Sequence, residues 1–340
     1  MRFWIELSGL SEELARAELF AAAEALGGSA DPSASPLAPG LVAVDLPTSV
    51  EPGTLAERLA LARRVLRPIG EDGAEARTAL EARGSRGQSA AFRRLGHASS
   101  GASDPAIAQG AEAFRRGGGR ISLSHPDRRI WIARNPDGAD VYLEEVAGVE
   151  RGRYGERRIS RLPFQRPIGL DPRLARAAAN LARVRPGGRV VDPFVGTGAL
   201  LAEAGLLGAR LYGVDIDPTM IRGALQNLAH LGVHAEELTV GDAATTRCGP
   251  SGGCFDAVLT DPPYGRASAT GEEGAAGLVA RVLPVWAARV REGGRVVVIL
   301  PGGPDPLPAP WRCVLSIPMR VHRSLTREFR VYERAGATVE

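Results

Sequence analysis

Between residues 189 and 300 the sequence alternates short apolar runs with helical segments, and this alternation restricts the fold more than any other feature. The apolar runs lie at residues 189–191, 211–214, 238–240, 257–260 and 296–300. Strands of a parallel sheet read as continuous apolar runs, because helical crossovers cover both faces. The pattern therefore predicts an α/β fold with an open, Rossmann-like parallel sheet.

Four of these strands in succession end in an acid, namely Asp192, Asp215, Asp242 and Asp261. The carboxyl ends of parallel strands meet at one edge of the sheet, where open α/β sheets bind their ligands. A single acid at such a position is commonly a helix cap, which is what we expect of Asp217. Four in succession predict a binding site.

The first strand runs into the loop Asp192-Pro193-Phe194-Val195-Gly196-Thr197-Gly198. Its two glycines allow a ligand to approach the backbone at the start of a helix. Leu201 stands where a dinucleotide fingerprint has its third glycine, so the loop does not favour a pyrophosphate. Asp215 follows at the spacing of an acid that accepts hydrogen bonds from ribose hydroxyls, and Asp242 can accept from an adenine amine.

A nucleoside without a pyrophosphate points to S-adenosylmethionine (AdoMet) as the cofactor. The predicted cofactor-binding residues are Asp192, Phe194, Gly196, Thr197, Gly198, Asp215, Ile216, Asp242 and Ala243.

The fourth strand ends in Asp261-Pro262-Pro263-Tyr264. Consecutive prolines fix φ and donate no main-chain hydrogen bond, so they form a stiff loop. The Asp261 carboxylate and a proline carbonyl offer two acceptors for the N–H bonds of one NH2 group, which aims the nitrogen lone pair at a methyl donor. Tyr264 can stack on a base. We predict that Asp261, Pro262, Pro263 and Tyr264 are the catalytic residues of an amino-methyltransferase.

The basic residues are clustered, although the net charge of +3 is too small to indicate a nucleic-acid partner by itself. Six arginines and one acid lie between residues 151 and 166. Arginine holds phosphate through two donors, and such clustering is typical of RNA-binding segments. The predicted RNA-binding residues are Arg151, Arg153, Arg157, Arg158, Arg266, Arg323 and Arg327.

The chain has 340 residues, which is more than one hydrophobic core usually spans. Strands and helices alternate at residues 1–147, with helices expected at 12–26, 55–66 and 105–116, whereas residues 74–101 show no clear periodicity. We predict a smaller α+β region at 1–147, a basic linker at 148–167 and the catalytic domain at 168–340.

Several classes of protein are not indicated. Cys248, Cys254 and Cys313 form no CxxC pair and have no histidines at ligand spacing, so we expect reduced thiols and no metal. Apolar runs are too short for a bilayer span, and Glu6 interrupts the N-terminal apolar residues. We expect a monomeric cytoplasmic protein without a membrane partner.

Four segments resemble the archaeal tRNA guanine-10 N2-methyltransferase family: residues 166–180, 192–198, 261–266, and Val321-His322-Arg323-Ser324-Leu325-Thr326-Arg327. The last segment discriminates, since the others recur in other base methyltransferases. The resemblance covers residues 162–332 and implies a Rossmann-like AdoMet methyltransferase domain. Residues 1–150 are similar in length and order to a ferredoxin-like segment followed by a THUMP RNA-binding module. The resemblance thus implies tRNA as the partner and guanine N2 as the methyl acceptor.

Other interpretations share the same loop. DNA or rRNA amino-methyltransferases and protein glutamine methyltransferases also present an NH2 group to such a loop. A different class is an RNA-binding protein with a vestigial methyltransferase domain, which the intact Asp192, Gly196, Gly198 and Asp261 disfavour. The sequence leaves open the target nucleotide and whether one or two methyl groups are added.

Overall fold

The computed structural model describes residues 1–31, 37–70, 72–96, 104–167, 169–250, 253–263, 274–322 and 325–334. These fold into two compact units. The first comprises Met1–Glu12, Leu26–Glu57 and Ala62–Glu150, and the second Glu13–Ala25, Arg58–Leu61 and Arg151–Glu340. The bounds at residues 147 and 167 stay a prediction.

The first unit is built on a mixed sheet with the strand order β2-β1-β3-β7-β6-β4-β5. Its core packs Phe92 edge-on against Phe114, with 6.2 Å between the ring centroids. The elements in the first 150 residues are β1 (Arg2–Leu7), α1 (Glu12–Ala25), β2 (Leu41–Asp45), α2 (Pro52–Arg58), β3 (Ala62–Pro68), α3 (Gly73–Arg83), β4 (Ser89–Arg94), α4 (Pro105–Arg116), β5 (Arg120–Ile121), β6 (Arg128–Arg134) and β7 (Asp140–Gly148).

The helix predicted at residues 55–66 is wrong in its second half. Helix α2 ends at Arg58, and β3 begins at Ala62 and pairs antiparallel with both β1 and β7. A central place in the sheet supplies main-chain partners on both sides, which outweighs the local helical spacing of leucines. The helix predicted at residues 105–116 is confirmed. Asp104 caps it and Pro105 occupies its first turn, which explains where the helix begins.

The second unit has a parallel sheet with an antiparallel edge, and its strand order is β10-β9-β8-β11-β12-β14-β13. All five predicted strands are confirmed, and so is the Rossmann-like α/β class. Helix α1 belongs to this unit. Its other elements are α5 (Arg153–Glu156), a 3-10 turn (Ile159–Arg161), α6 (Pro172–Leu181), β8 (Arg189–Asp192), α7 (Ala199–Gly205), β9 (Arg210–Asp215), α8 (Pro218–His230), β10 (Glu237–Val240), β11 (Phe255–Thr260), α9 (Gly274–Ala287), β12 (Val290–Leu300), β13 (Trp311–His322) and β14 (Leu325–Arg334).

Local sequence explains where the crossover helices start. Asp171 and Asp217 each accept a hydrogen bond from the N–H two residues on, and a proline follows each of them at the first helical position. The core of this unit centres on Phe255 and Trp286, whose ring centroids lie 6.1 Å apart. Asp217 is therefore the helix cap that the sequence predicts.

The segment expected to be a linker packs into the second unit. Tyr154 and Leu162 are buried, and the Tyr154 hydroxyl donates to the Leu59 carbonyl at 2.9 Å. These apolar side chains anchor the segment despite its many arginines. Among the described residues, the helices are all too short or too polar to cross a membrane.

Candidate active site

The strand order reverses direction between β8 and β11, which lie side by side in parallel. Ligands of open α/β sheets bind outside the carboxyl ends of the strands at such a switch point. Asp192 ends β8, and Thr260 ends β11 immediately before Asp261. The topology therefore brings the predicted cofactor loop and the predicted catalytic loop to neighbouring strand ends.

Asp192 is almost fully buried, with 1% of its surface exposed. Its Oδ1 accepts hydrogen bonds from the Thr260 hydroxyl at 2.6 Å and from the Phe194 N–H at 2.9 Å. Burial raises the pKa of Asp192 to about 7, and the hydrogen bonds from Thr260 and Phe194 oppose that rise. The charges of Asp215 and Asp261 raise this pKa further. Asp192 thus ties the two loops together.

The loop between β8 and α7 depends on its two glycines. Gly196 and Gly198 have φ values of +52° and +82°, which side chains with a Cβ rarely adopt. A Cβ on Gly198 would lie 3.2 Å from that of Ala224, whereas the nearest atom to a Cβ on Gly196 would be 4.0 Å away. The space beside Gly196 is therefore open to a ligand. Thr197 is half-buried, and its carbonyl accepts from Asn227 at 3.1 Å.

Asp215 fastens the glycine loop to the end of β9. Its Oδ2 accepts from the Gly196 N–H at 2.8 Å, and its Oδ1 accepts from the Asp217 N–H at 2.9 Å. Each carboxylate oxygen has a further lone pair for a hydroxyl donor. Burial raises the pKa of Asp215. The adjacent Ile216 is 74% exposed, so an apolar surface stands beside an acid at the sheet edge.

Asp242 and Ala243 follow β10. The Asp242 carboxylate accepts from the Ala244 N–H at 2.8 Å and from Arg281 at 3.3 Å, and the Ala244 bond contributes most to lowering the pKa of Asp242. Ala243 is buried, and its carbonyl accepts from the indole N–H of Trp286 at 2.8 Å. Arg281 thus competes with any ligand amine for Asp242.

Asp261 lies beside a buried arginine. Nη1 of Arg327 is 3.5 Å from Oδ2 of Asp261, and the two side chains are 7% and 20% exposed. Pro262 is buried and Pro263 is exposed, and both line a cavity of about 70 Å³. The other cavity walls come mainly from α9 and from the loop after β12, which contributes Asp305. Tyr264 lies outside the described residues.

The arginines of residues 151–158 differ in what they can reach. Arg151 and Arg158 are exposed and line an open depression of about 320 Å³, together with Asp171 and Arg173. Asp171 and Arg173 hold each other through a hydrogen bond of 3.1 Å. Arg151 and Arg158 are therefore placed where a phosphate could contact them.

The guanidinium groups of Arg157 and Arg153 form hydrogen bonds within the protein. Nε of Arg157 donates to Oε1 of the buried Glu203 at 2.7 Å, and Arg176 donates to the other oxygen at 2.8 Å. Arg153 is half-buried and donates to the Tyr154 hydroxyl at 3.1 Å. These two guanidinium groups contribute to packing rather than to an open basic surface.

Of the three predicted RNA-binding residues beyond residue 260, the structure describes Arg327. Arg327 is only 5% exposed, so the expectation that it contacts RNA is corrected: its guanidinium is turned inward to Asp261. Arg266 and Arg323 lie outside the described residues.

Sequence reasoning missed Thr260, Asn227 and Glu203. The Asn227 side chain is buried. Its Oδ1 accepts a hydrogen bond from the Phe164 N–H at 2.9 Å, and its Nδ2 donates one to the Phe164 carbonyl at 3.0 Å. None of the three has a local pattern that marks it, since each acts on a partner distant in the sequence. Among the described residues there is no group of His, Cys, Asp and Glu that could hold a metal ion.

Residues 160–309 match the model of a methyltransferase domain described as UPF0020, RMKL-like. This range contains every described residue of the strand-end site except Arg327. Among solved structures, that of TrmN from Thermus thermophilus aligns with 98% of this chain and 100% of its own, at 22% identity and a TM-score of 0.48.

Curated relatives match over longer segments. A tRNA (guanine(10)-N2)-dimethyltransferase of Pyrococcus abyssi is 36% identical over 226 residues, which is 63% of this chain and 64% of that protein. The protein of the same name from Methanothermobacter thermautotrophicus is 36% identical over 197 residues, or 57% of this chain and 58% of that protein. A tRNA (guanine(10)-N(2))-methyltransferase of Saccharomyces cerevisiae is 28% identical over 177 residues, or 45% and 40%. The chain thus spans less than two thirds of the length of these relatives.

Proposed function

From the match of residues 160–309 to the UPF0020, RMKL-like methyltransferase domain, we propose that the chain is an AdoMet-dependent tRNA methyltransferase that acts on N2 of guanine 10. The two archaeal relatives described above carry this activity in their names, which supports the choice of substrate.

One observation carries the proposal. The glycine loop after β8 and the Asp-Pro-Pro loop after β11 emerge side by side at the switch point, joined by the bond from Thr260 to Asp192. A methyl donor held by the first loop would therefore face an amine held by the second. Methyl transfer needs such an approach, because the reacting atoms must lie in line and in contact.

The residues present fit AdoMet. The open space at Gly196 admits a ligand against the backbone, and Asp215 keeps lone pairs for two ribose hydroxyls. Exposed Ile216 offers an apolar surface for an adenine ring. Asp242 can accept from the adenine amine once it exchanges Arg281 for the ligand. When bound, AdoMet supplies the electrophilic methyl group.

The catalytic loop acts on the acceptor nitrogen. The lone pair of a guanine amine is delocalised into the ring, so N2 is a weak nucleophile. The Asp261 carboxylate and the Pro262 carbonyl accept hydrogen bonds from the two N–H groups at N2. These bonds orient the nitrogen lone pair and stabilise the positive charge that develops on N2. Methylation of N2 would break the methyl–sulfur bond of the donor, whose electron pair would stay on the departing sulfur. The methylated amine is acidic and would then lose a proton to water. A general base is not required before the transfer.

We further propose that residues 1–147 bind tRNA as a ferredoxin-like segment and a THUMP module, with Arg151 and Arg158 contacting phosphate nearby along the chain. Their exposure at an open depression supports this role. Arginine at such a site grips phosphate without reading sequence.

The test is methyl transfer from labelled AdoMet to an unmodified tRNA transcript. The matched control transcript carries inosine at position 10, which lacks only the exocyclic amine. We expect label in the guanine transcript alone, with and without EDTA, and mass spectrometry of nucleosides distinguishes one methyl group from two. Equal labelling of the inosine transcript would reject guanine 10, transfer only to DNA or rRNA would reassign the substrate, and AdoMet binding without any transfer would mark the domain as vestigial.

A further inference from the structure

A buried ion pair reaches the end of β11 from the far side of β12. Arg327 lies in β14 and is 5% exposed, yet its Nη1 is 3.5 Å from Oδ2 of Asp261. Burying a guanidinium is unfavourable unless charge and hydrogen-bond partners compensate it. The position of Arg327 therefore requires an explanation beyond strand packing.

The register of the sheet shows why an arginine is needed there. Glu328 of β14 pairs with Leu300 of β12, so Arg327 lies level with the carboxyl end of that strand. Thr260 of β11 pairs with Val298 on the other side of β12. The Arg327 side chain must therefore reach across β12, over about two strand spacings of roughly 4.8 Å each. Only a long cationic side chain can make this contact.

We propose that Arg327 is a positioning residue that keeps the Asp261 carboxylate ionised and turned toward the acceptor amine. The inference rests on the proposed function, because it gives Asp261 the task of accepting two donors together with the Pro262 carbonyl. A protonated carboxyl group would donate a hydrogen bond itself and repel one of the N–H groups.

The surroundings of Asp261 favour protonation unless a cation opposes it. Asp192 faces it from the end of β8 and Asp215 stands behind that residue at β9, and their mutual repulsion contributes to the raised pKa of Asp192. The loop after β12 adds Asp305 to the cavity that Pro262 lines. Arg327 supplies a cation that pairs with Asp261 at this end of the sheet. An opposite charge at this distance stabilises the ionised carboxylate.

Two substitutions separate positioning from packing. Arg327→Lys keeps the charge, and Arg327→Met keeps most of the apolar length without it. The matched control is Arg295→Met on β12. Arg295 is also buried and also links β12 to β14, through an ion pair of 2.7 Å with Glu333, but it lies toward the other end of these strands from Asp261. Loss of packing affects both Met variants, whereas loss of positioning affects only the first.

The readout is the single-turnover rate from about pH 6 to about pH 8.5 with saturating AdoMet and tRNA. We expect the ratio of the Arg327→Met rate to the wild-type rate to be lowest at pH 6 and to rise toward 1 at high pH, as protonation of Asp261 is reversed. Arg327→Lys restores most of the rate. Arg295→Met lowers thermal stability with an unchanged pH profile. A parallel slow-down of Arg327→Met at every pH, or the same profile in Arg295→Met, would overturn the proposal.

A second readout does not depend on activity. In 13C-labelled protein, with Asp261→Asn used to assign the signal, the Asp261 carboxyl should titrate at a higher pH in Arg327→Met than in wild type. If that shift is present but tRNA is not methylated, the ion pair stands and the proposed function fails. If wild type methylates tRNA and the titration is unchanged, the function stands and the positioning role fails.

Discussion

The hydroxyl of Thr260 donates a hydrogen bond of 2.6 Å to Oδ1 of Asp192, and both residues are buried. The bond joins the ends of β11 and β8 at the point where the strand order reverses. It gives the two halves of the candidate active site a common support, because a shift of either loop breaks it.

Asp192→Asn should change how stability depends on pH. Burial raises the pKa of Asp192 from 3.8 to about 7, so between these values the folded state keeps a proton that the unfolded state has lost. Wild-type stability therefore falls as pH rises through this window, and the asparagine variant lacks this loss. Thermal unfolding should show the variant gaining on wild type between about pH 4 and about pH 7, then a constant difference. An asparagine variant whose stability falls relative to that of wild type as pH rises through this window would contradict the assignment.

Asp215→Ala should weaken AdoMet binding. The substitution removes charge-assisted hydrogen bonds to the ribose worth roughly 1.5–3 kcal/mol and releases the Gly196 N–H that Asp215 holds. Titration calorimetry measures the change, with Asp217→Ala as the control, since that carboxylate caps α8. Equal affinities for wild type and Asp215→Ala would remove this residue from the cofactor site.

Asp261→Ala should slow methyl transfer by orders of magnitude while AdoMet affinity changes little, because the acceptor that orients the amine is lost. Asp261→Asn keeps one carbonyl acceptor without the charge, so its rate should lie between those of wild type and Asp261→Ala. Single-turnover kinetics at saturating AdoMet and tRNA test this order. An alanine variant as fast as wild type would reject the mechanism.

Replacing Arg151 and Arg158 together by glutamine should lower tRNA affinity. The slope of the logarithm of affinity against the logarithm of salt concentration should become less steep by roughly 0.7–0.9 for each phosphate that the variant no longer neutralises. AdoMet affinity should not change. Arg157→Gln should instead lower the free energy of unfolding by roughly 3 kcal/mol or less, since buried Glu203 loses one of its two arginine partners among the described residues and keeps Arg176. tRNA binding measured over a salt series tests the double variant, and thermal unfolding tests Arg157→Gln. An unchanged salt slope in the double variant would exclude Arg151 and Arg158 from the RNA site.

The sequence by itself determined the local features of the second unit. Apolar runs predicted its five parallel strands, and proline after an acid predicted the starts of helices such as α8. The rule that ligands bind at the carboxyl edge then predicted one site at Asp192, Asp215 and Asp261, and the structure places these residues at or directly after the ends of β8, β9 and β11. These inferences succeed because each depends on a few neighbouring residues and on one general property of parallel sheets.

Only the tertiary structure decided which partners the distant side chains have. The sequence predicts an exposed cation at Arg327, but β14 pairs with β12, and the buried Arg327 side chain forms an ion pair with Asp261. Arg157 reads as part of a basic linker, but the buried Glu203 of α7 holds it. Residues 62–68 form a strand because two neighbours pair with it. In each case the outcome depends on the free energy of interactions between segments far apart in the chain, which no local pattern encodes.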